Sequence, residues 1–513
     1  MRFSHIISST RIVAREHGLL HLGRIASERL REFARVRKAL RSDSRAQAAC
    51  LEGFINNRYE FDHVAVEPAE MEACDASVLR LFLFRRYGDL VATDPSRIGS
   101  LDQLAVLLVC DALYRTWNYR KLADVASAVR QRMTNIAWAK RVDTMLRRAQ
   151  ISCGELAAGE QGLFPHDGGS LADALLRGDV WNASGRMEWA TKAYRRAVEI
   201  EADNPMARLH LGFHLLKKGE IAEGLVCWGL AERVFGHFPL RYQQPLWRGE
   251  PLGTKSLLIV FEHGFGDMIQ FARYLAPLRR RAPDAALVAL VPAPIVSLLA
   301  RSFPDVSFVP KAVDGSTDFY VTATQMPLVL GGSVYEPRRY LVAYASDPRP
   351  TRLDRLRVGI CWRGHPRQYE QSRSIAVEVF STLFTLGDVG FVALLNTITP
   401  AEQAHLARFP NVTVPPIRDF ASLADEIAAC DLVVTVDTSI VHLAGALGTR
   451  TVLLSRPDAC WRWGAAGRTS QWYDDVTIVR HPLDLDWPHV LAEARSLIES
   501  AATAEPVPLS AIA

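Results

Sequence analysis

The chain has 513 residues, 49% of them apolar and 23% charged, which excludes a disordered, collagenous or coiled-coil protein and leaves room for about three to four domains. The net charge is +4, yet residues 1–50 alone hold eleven Lys or Arg against four acids. The remainder is therefore slightly acidic, and a chain-wide nucleic-acid surface is excluded. Eight cysteines, never closer than 24 residues apart, leave no zinc spacing or compact disulfide framework and point to a reducing, cytoplasmic setting. No apolar run is long enough to span a membrane, and the first residues lack the apolar stretch of a secretory leader.

Residues 1–165 read as a helical region, with apolar residues at three- and four-residue spacing such as Leu101, Leu104, Leu107 and Leu108. Within it, 19–41 predicts an Arg-rich helix whose loose stripe of Leu22, Ile25, Leu30 and Phe33 suits either peripheral contact with an anionic membrane or acidic partner, or a solvated packing helix. Residues 166–245 then repeat with a period of 34: Gly185 matches Gly219 and Ala190 matches Gly224. Ala197, Pro205 and Leu211–Gly212 fall where helical hairpins cross closely or restart. The pattern resembles the tetratricopeptide repeat, with copies at 171–204 and 205–238 and a degenerate one from about Trp117 to Val129. Such copies stack into a peptide-binding groove or brace a neighbouring domain.

At residue 246 the pattern changes to alternating strands and helices, the signature of parallel sheets covered on both faces. A first α/β unit is expected over 246–345, with strands 256–262, 286–291, 306–309 and 318–322 and a helix over 268–280 that Pro277 could kink or cut short. A Pro-rich linker at 345–356 leads to a second unit over 346–500. Its expected strands are 357–362, 390–396, 411–414, 431–436 and 450–455. Its expected helices are 375–386, 400–408, 421–429 and 439–447, and a tail fills 501–513.

Three places could carry chemistry. Glu262-His263-Gly264-Phe265-Gly266-Asp267 closes the first strand, where glycines let a backbone approach closely and the following helix favours an anion. The third glycine of a dinucleotide fingerprint is missing, since Ile269 stands there, which disfavours a dinucleotide-dependent oxidoreductase. Asp267 itself is either an N-cap of helix 268–280 or a chemical group. The second place is Asp437-Thr438-Ser439 with His442, an apolar strand opening into a helix capped by Gly448, whose free N–H groups suit a phosphate or diphosphate. The third is Trp362, Arg363, Gly364 and His365 with Arg373 and Ser374, where Arg373 could fork onto a diphosphate. Trp461-Arg462-Trp463 with Trp472-Tyr473 either stacks on a base or sugar or packs a loop. Asp484-Leu485-Asp486, pinched between prolines, is discounted as a metal motif, and no metal site is expected.

These motifs, in the order PLWRGEPL, FEHGFGDMIQFARYL, RVGICWRG, RSI and ACDLVVTVDTSIVHLAGALG, resemble bacterial tetratricopeptide-repeat proteins fused to a glycosyltransferase. The catalytic part is similar to the ADP-heptose transferases of glycosyltransferase family nine. The resemblance covers about 171–495 and implies a pair of doubly wound units of GT-B type behind an all-helical region. It implies a nucleotide-diphosphate sugar as co-substrate, with no further cofactor. Asp267 would be the catalytic base, and Gly264 and Gly266 would belong to the donor-binding set. Arg363, Arg373, Asp437, Thr438, Ser439 and His442 would hold the donor. The first α/β unit is short for this family, so the resemblance implies a protein acceptor read partly by the repeats; a scaffold with a degenerate transferase domain is the rival.

Overall fold

The computed structural model describes residues 34–503 except 57–60, 93–97, 156–168, 236–241, 311–316, 332–338, 345–354, 365–372, 482–486 and a few single or paired positions. The expected basic helix at 19–41 thus lies largely outside the described residues, as do His365, Asp484, Asp486, nearly all of the expected linker and most of the tail. Two compact units emerge: residues 1–215 with 226–237, and 216–225 with 238–513.

The first unit is helical: α1 (Ser44–Ile55), α2 (Pro68–Ala73), α3 (Ala76–Leu83), α4 (Tyr87–Val91), α5 (Gln103–Arg115), α6 (Tyr119–Val129), α7 (Ile136–Ser152), α8 (Leu171–Ala183), α9 (Met187–Ile200) and α10 (Pro205–Lys218), followed in the chain by α11 (Ile221–Phe235). Residues Leu104–Tyr114 of α5 are all buried, because a helix apolar on every side can only sit in the middle of a core. Its one carboxylate, Asp111, is fully buried and answered by Arg115 and by Arg141 at 3.5 Å. Helices α8 and α9 form a close hairpin: Gly178 leaves no room for a side chain, since a Cβ there would lie 2.3 Å from the Tyr194 ring. Gly185 and Gly219 stand in left-handed backbone, φ +72° and +91°, at the ends of α8 and α10, so the 34-residue spacing reports equivalent helix stops. Among the described residues, no helix is long and apolar enough to cross a membrane.

The second unit holds two parallel sheets. The first combines β1 (Ser256–Val260), β2 (Ala286–Leu290), β3 (Ser307–Val309) and β4 (Phe319–Thr322) in the order β3-β2-β1-β4. Its helices are α12 (Phe265–Ala272), α13 (Leu275–Arg281), α14 (Ala293–Ser302) and the short α15 (Met326–Val329). The second sheet has β5 (Leu356–Cys361), β6 (Val389–Ala393), β7 (Val412–Thr413), β8 (Leu432–Val436), β9 (Thr451–Ser455) and β10 (Val476–Arg480) in the order β10-β9-β8-β5-β6-β7. Its helices are α16 (Val377–Phe380), α17 (Pro400–Leu406), α18 (Phe420–Ala428), α19 (Ser439–Leu447) and α20 (Trp487–Thr503). Every ladder is parallel, as buried Val/Leu/Ile runs require. The strand order reverses between β1 and β4 in one sheet and between β5 and β8 in the other. In such folds ligands bind beyond the carboxyl ends of the strands at that reversal.

Several expected elements are corrected. Helix 268–280 is two helices, because the chain breaks at Arg273–Tyr274, ahead of Pro277, which then sits in the first turn of α13, where a missing N–H costs nothing. Helix 375–386 is one turn of α-helix followed by a 3-10 stretch over Ser381–Thr385. Strand β10 and helix α20 were not foreseen.

Candidate active site

Three loops at the two strand-order reversals supply the side chains. After β1 the chain passes through Phe261 and the buried Glu262, whose carboxylate accepts N–H bonds from Ala323 (3.2 Å) and Thr324 (3.3 Å) and the Thr324 hydroxyl beyond β4. Burial raises the pKa of Glu262 above the ordinary range, against the lowering pull of the Thr324 hydroxyl and His263. His263 then takes φ +70°, a left-handed conformation uncommon for a residue with a Cβ. That reversal lets Gly264 open α12.

Asp267 is therefore the third residue of α12 and not its N-cap, which corrects one of its two expected readings. Its Oδ2 accepts the Gly264 N–H at 3.1 Å, and its Oδ1 is held by the Arg462 guanidinium. Gly266 is needed for a close crossing: a Cβ there would stand 2.7 Å from Cδ2 of His442 on α19. The GFGD turn and the α19 motif, 170 residues apart in sequence, are thus packed against one another.

After β8, Thr438 caps α19, its hydroxyl accepting the Ile440 N–H at 3.2 Å. Asp437, Thr438 and Ser439 are half-buried. His442 is buried, its Nδ1 2.9 Å from the Tyr473 hydroxyl and its ring 5.2 Å from Trp463. Burial, followed by the charges of Arg462, Arg273 and Arg373, pushes its pKa well below the usual histidine value. In this fold the ring is held strongly towards its neutral form. Trp461, Trp463, Trp472 and Tyr473 are all buried, and Tyr473 lies against Gly445, where a Cβ would meet its ring at 2.4 Å. These aromatics pack a loop around His442, the first of their two expected readings being unsupported by any exposed face.

After β5, the structure returns 373–375 to 362–364: the Ile375 N–H donates to the Trp362 carbonyl at 2.8 Å and the Gly364 N–H to Ser374 Oγ at 3.3 Å. The Arg373 guanidinium packs over Gly364. Arg363, expected at the donor, is paired within the protein in this structure. Its Nε and Nη2 grip Glu402 at 2.5 and 2.7 Å, and Nη2 also donates to the Thr397 carbonyl at 2.9 Å. Glu402 further accepts Trp362 Nε1 at 2.9 Å; burial raises its pKa, but the hydrogen bonds from Arg363, the Thr399 N–H and hydroxyl and Trp362 together bring it from 4.5 down to about 2. A bidentate pair of this kind ties the end of β5 to α17.

The sequence names Arg462 only within an aromatic cluster, without a role of its own, and gives no sign of Arg273. Arg462, on a 3-10 turn at Trp461–Trp463, donates from Nε to Gln270 Oε1 at 2.6 Å and from Nη1 to Cys460 Sγ at 3.0 Å. Arg273 is buried where α12 ends, donates to the Trp472 carbonyl at 3.0 Å and lies 5.0 Å from the Tyr473 ring centre. The signal available was an Arg placed between two Trp. Among the described residues, no cluster of three or more His, Cys, Asp or Glu is placed to hold a metal.

Residues 397–482, which carry β7 to β10, α17 to α19 and the Trp461–Tyr473 loop, match glycosyltransferase family 9 (heptosyltransferase). The chain is 25% identical over 300 residues to Protein FlbA of Caulobacter vibrioides, a match covering 51% of this chain and 50% of that protein. The chain therefore spans about half the length of this curated relative. Solved structures with a likeness include the ADP-heptose lipopolysaccharide heptosyltransferase II of E. coli, at 15% identity and TM-score 0.32, covering 48% of this chain and 99% of that one. An O-GlcNAc transferase of Thermobaculum terrenum shares 14% identity at TM-score 0.29 over 80% of this chain and 94% of its own.

Proposed function

We propose that the protein transfers a sugar from a nucleotide-diphosphate donor to an acceptor hydroxyl, by inversion and without a metal. The observation that carries this reading is the convergence of the GFGD turn on the N-terminal half of α19, with Gly266 against His442 and Asp267 against Arg462. In this reading the diphosphate lies on the N–H groups that open α19, beside Thr438 and Ser439, with Arg373 across from it. Asp267 takes the acceptor hydroxyl's proton as that oxygen bonds to the anomeric carbon and the bond to the diphosphate breaks. Such general-base action contributes about 10²–10⁴-fold. The leaving charge is met by the helix terminus and guanidinium groups.

Relative to the motif resemblance, two roles change: Arg363 acts as a tie to Glu402, and His442 contributes shape and position in place of charge. The acceptor is proposed to be a protein presented by the 34-residue hairpins of α8–α11, read as tetratricopeptide-like. The site is proposed to work in the cytoplasm. Melting the full chain with UDP, GDP, ADP or CMP tests the donor half: one should protect the fold, by about 2.7 kcal/mol at a hundredfold excess over Kd, and Arg373→Ala should reduce that protection. No protection by any of the four at millimolar concentration refutes the donor site and leaves the scaffold reading.

A further inference from the structure

The partner of Asp267 bears on how such a reaction would be controlled. With Oδ1 on a guanidinium and Oδ2 on the Gly264 N–H, the Asp267 carboxylate has both oxygens engaged and presents neither to an acceptor hydroxyl. Arg462 grips Asp267 from a side chain only 12% exposed, and it is held in place from three further directions. Gln270 accepts from Nε, Cys460 Sγ from Nη1, and the Trp461 ring lies 4.2 Å below the guanidinium carbon. Its charge is also felt by two residues that bracket the first turn of α19. Burial works against the guanidinium's charge, but Asp267, Cys460 and Asp437 together raise its pKa. Its charge in turn helps to keep His442 neutral. Geometry puts Arg462 beside α19 as well as on the carboxylate of α12: its chain neighbour Trp463 lies 5.2 Å from the His442 ring, and Gly266, next to Asp267, packs against the same ring.

We infer that Arg462 is a donor-sensing positioning residue: without donor it is parked on Asp267, and a nucleoside diphosphate at the start of α19 draws the guanidinium to its own oxygens and releases Asp267 as a base. This rests on the donor site proposed above. The physical reason is competition for one planar fork. A diphosphate offers more charge and more oxygens than a single carboxylate, and Arg suits bidentate phosphate contact. Binding order follows, with the donor preceding productive acceptor binding. So does a reciprocal coupling: whatever Asp267 loses to the diphosphate, the diphosphate must spend in displacing Asp267.

A double-mutant cycle on the full chain tests this. UDP, GDP, ADP and CDP are titrated calorimetrically into wild type, Asp267→Asn, Arg462→Gln and the double variant, with Arg373→Ala as a control on the donor site. The nucleotide that binds wild type should bind Asp267→Asn about fivefold or more tightly, the lower end of typical site coupling, and Arg462→Gln about tenfold or more weakly, with Asp267→Asn then giving no gain in the Arg462→Gln background. An equal gain in both backgrounds would mean simple repulsion between Asp267 and the diphosphate and would overturn the inference, as would no gain in either. Where circular dichroism shows Arg462→Gln unfolded, Arg462→Lys replaces it in the cycle: it keeps the charge, loses the fork, and should reduce the gain to less than half. If no nucleotide binds wild type, the donor site and this inference fall together. If one binds and Arg373→Ala weakens it, but the cycle is additive, only the Arg462 inference falls.

Discussion

Replacing Asp267 by Asn separates a structural role from a chemical one. Asp267 is 23% exposed and Arg462 12%. Stripping one charge from a buried pair costs about 3–5 kcal/mol when nothing replaces it. Here the amide oxygen can stand in for only one of the two carboxylate oxygens, so either the Gly264 N–H or the Arg462 N–H loses its acceptor and faces an NH2, while Gln270 and Cys460 still hold the guanidinium. A net loss of about 1–3 kcal/mol is therefore expected. Were Asp267 an N-cap, Asn would replace it at almost no cost. At about 2–4 °C per kcal/mol for a domain of 150–250 residues, the melting temperature should fall by several degrees. Transfer from a nucleotide sugar, assayed well below that temperature, should fall at least about a hundredfold. An unchanged melting temperature would refute the ion pair as a stabilising contact, and wild-type transfer would remove Asp267 from the mechanism.

Gly266→Ala places a methyl 2.7 Å from a His442 ring already fixed by Tyr473; it should cost about 1–3 kcal/mol in urea unfolding and slow transfer, and a neutral outcome would show that α12 and α19 can part freely. Glu402→Gln should be less stable than wild type at pH 7. Because the folded pKa is lowered from 4.5 to about 2, the wild-type advantage is complete above about pH 4.5 and shrinks as pH falls towards 2; a constant gap between melts at pH 7 and pH 3 contradicts it. His442 is kept neutral in the fold, so below about pH 6.5 the unfolded chain binds a proton that the folded chain refuses, and stability declines as pH drops. His442→Gln should flatten that decline between pH 7.5 and 5.0 in chemical unfolding.

Much of the architecture follows from local pattern. Continuous apolar runs such as LVVTV and TVLLS can only be strands buried on both faces, and their alternation with helices dictates parallel sheets. The junction at 436–439 was legible to the residue, because a Thr before a small-residue helix and a Gly after it are local stop and start signals. The 34-residue spacing likewise marked two helix ends in left-handed glycine. Other features have no local signature. The break of α12 at Arg273 depends on where that side chain is buried, among Tyr340, Trp472 and Tyr473. Arg363 and Arg462 both look like spare cations in sequence. The fold assigns one to Glu402, 39 residues on, and the other to Asp267, 195 residues back. Charge partners are chosen by which strand ends the sheet order brings together, and a guanidinium that reads as a ligand for phosphate in sequence can be committed to a carboxylate once the chain is folded. Local pattern determined the elements and the turns that cap them; the tertiary structure decided which charges remain for a substrate.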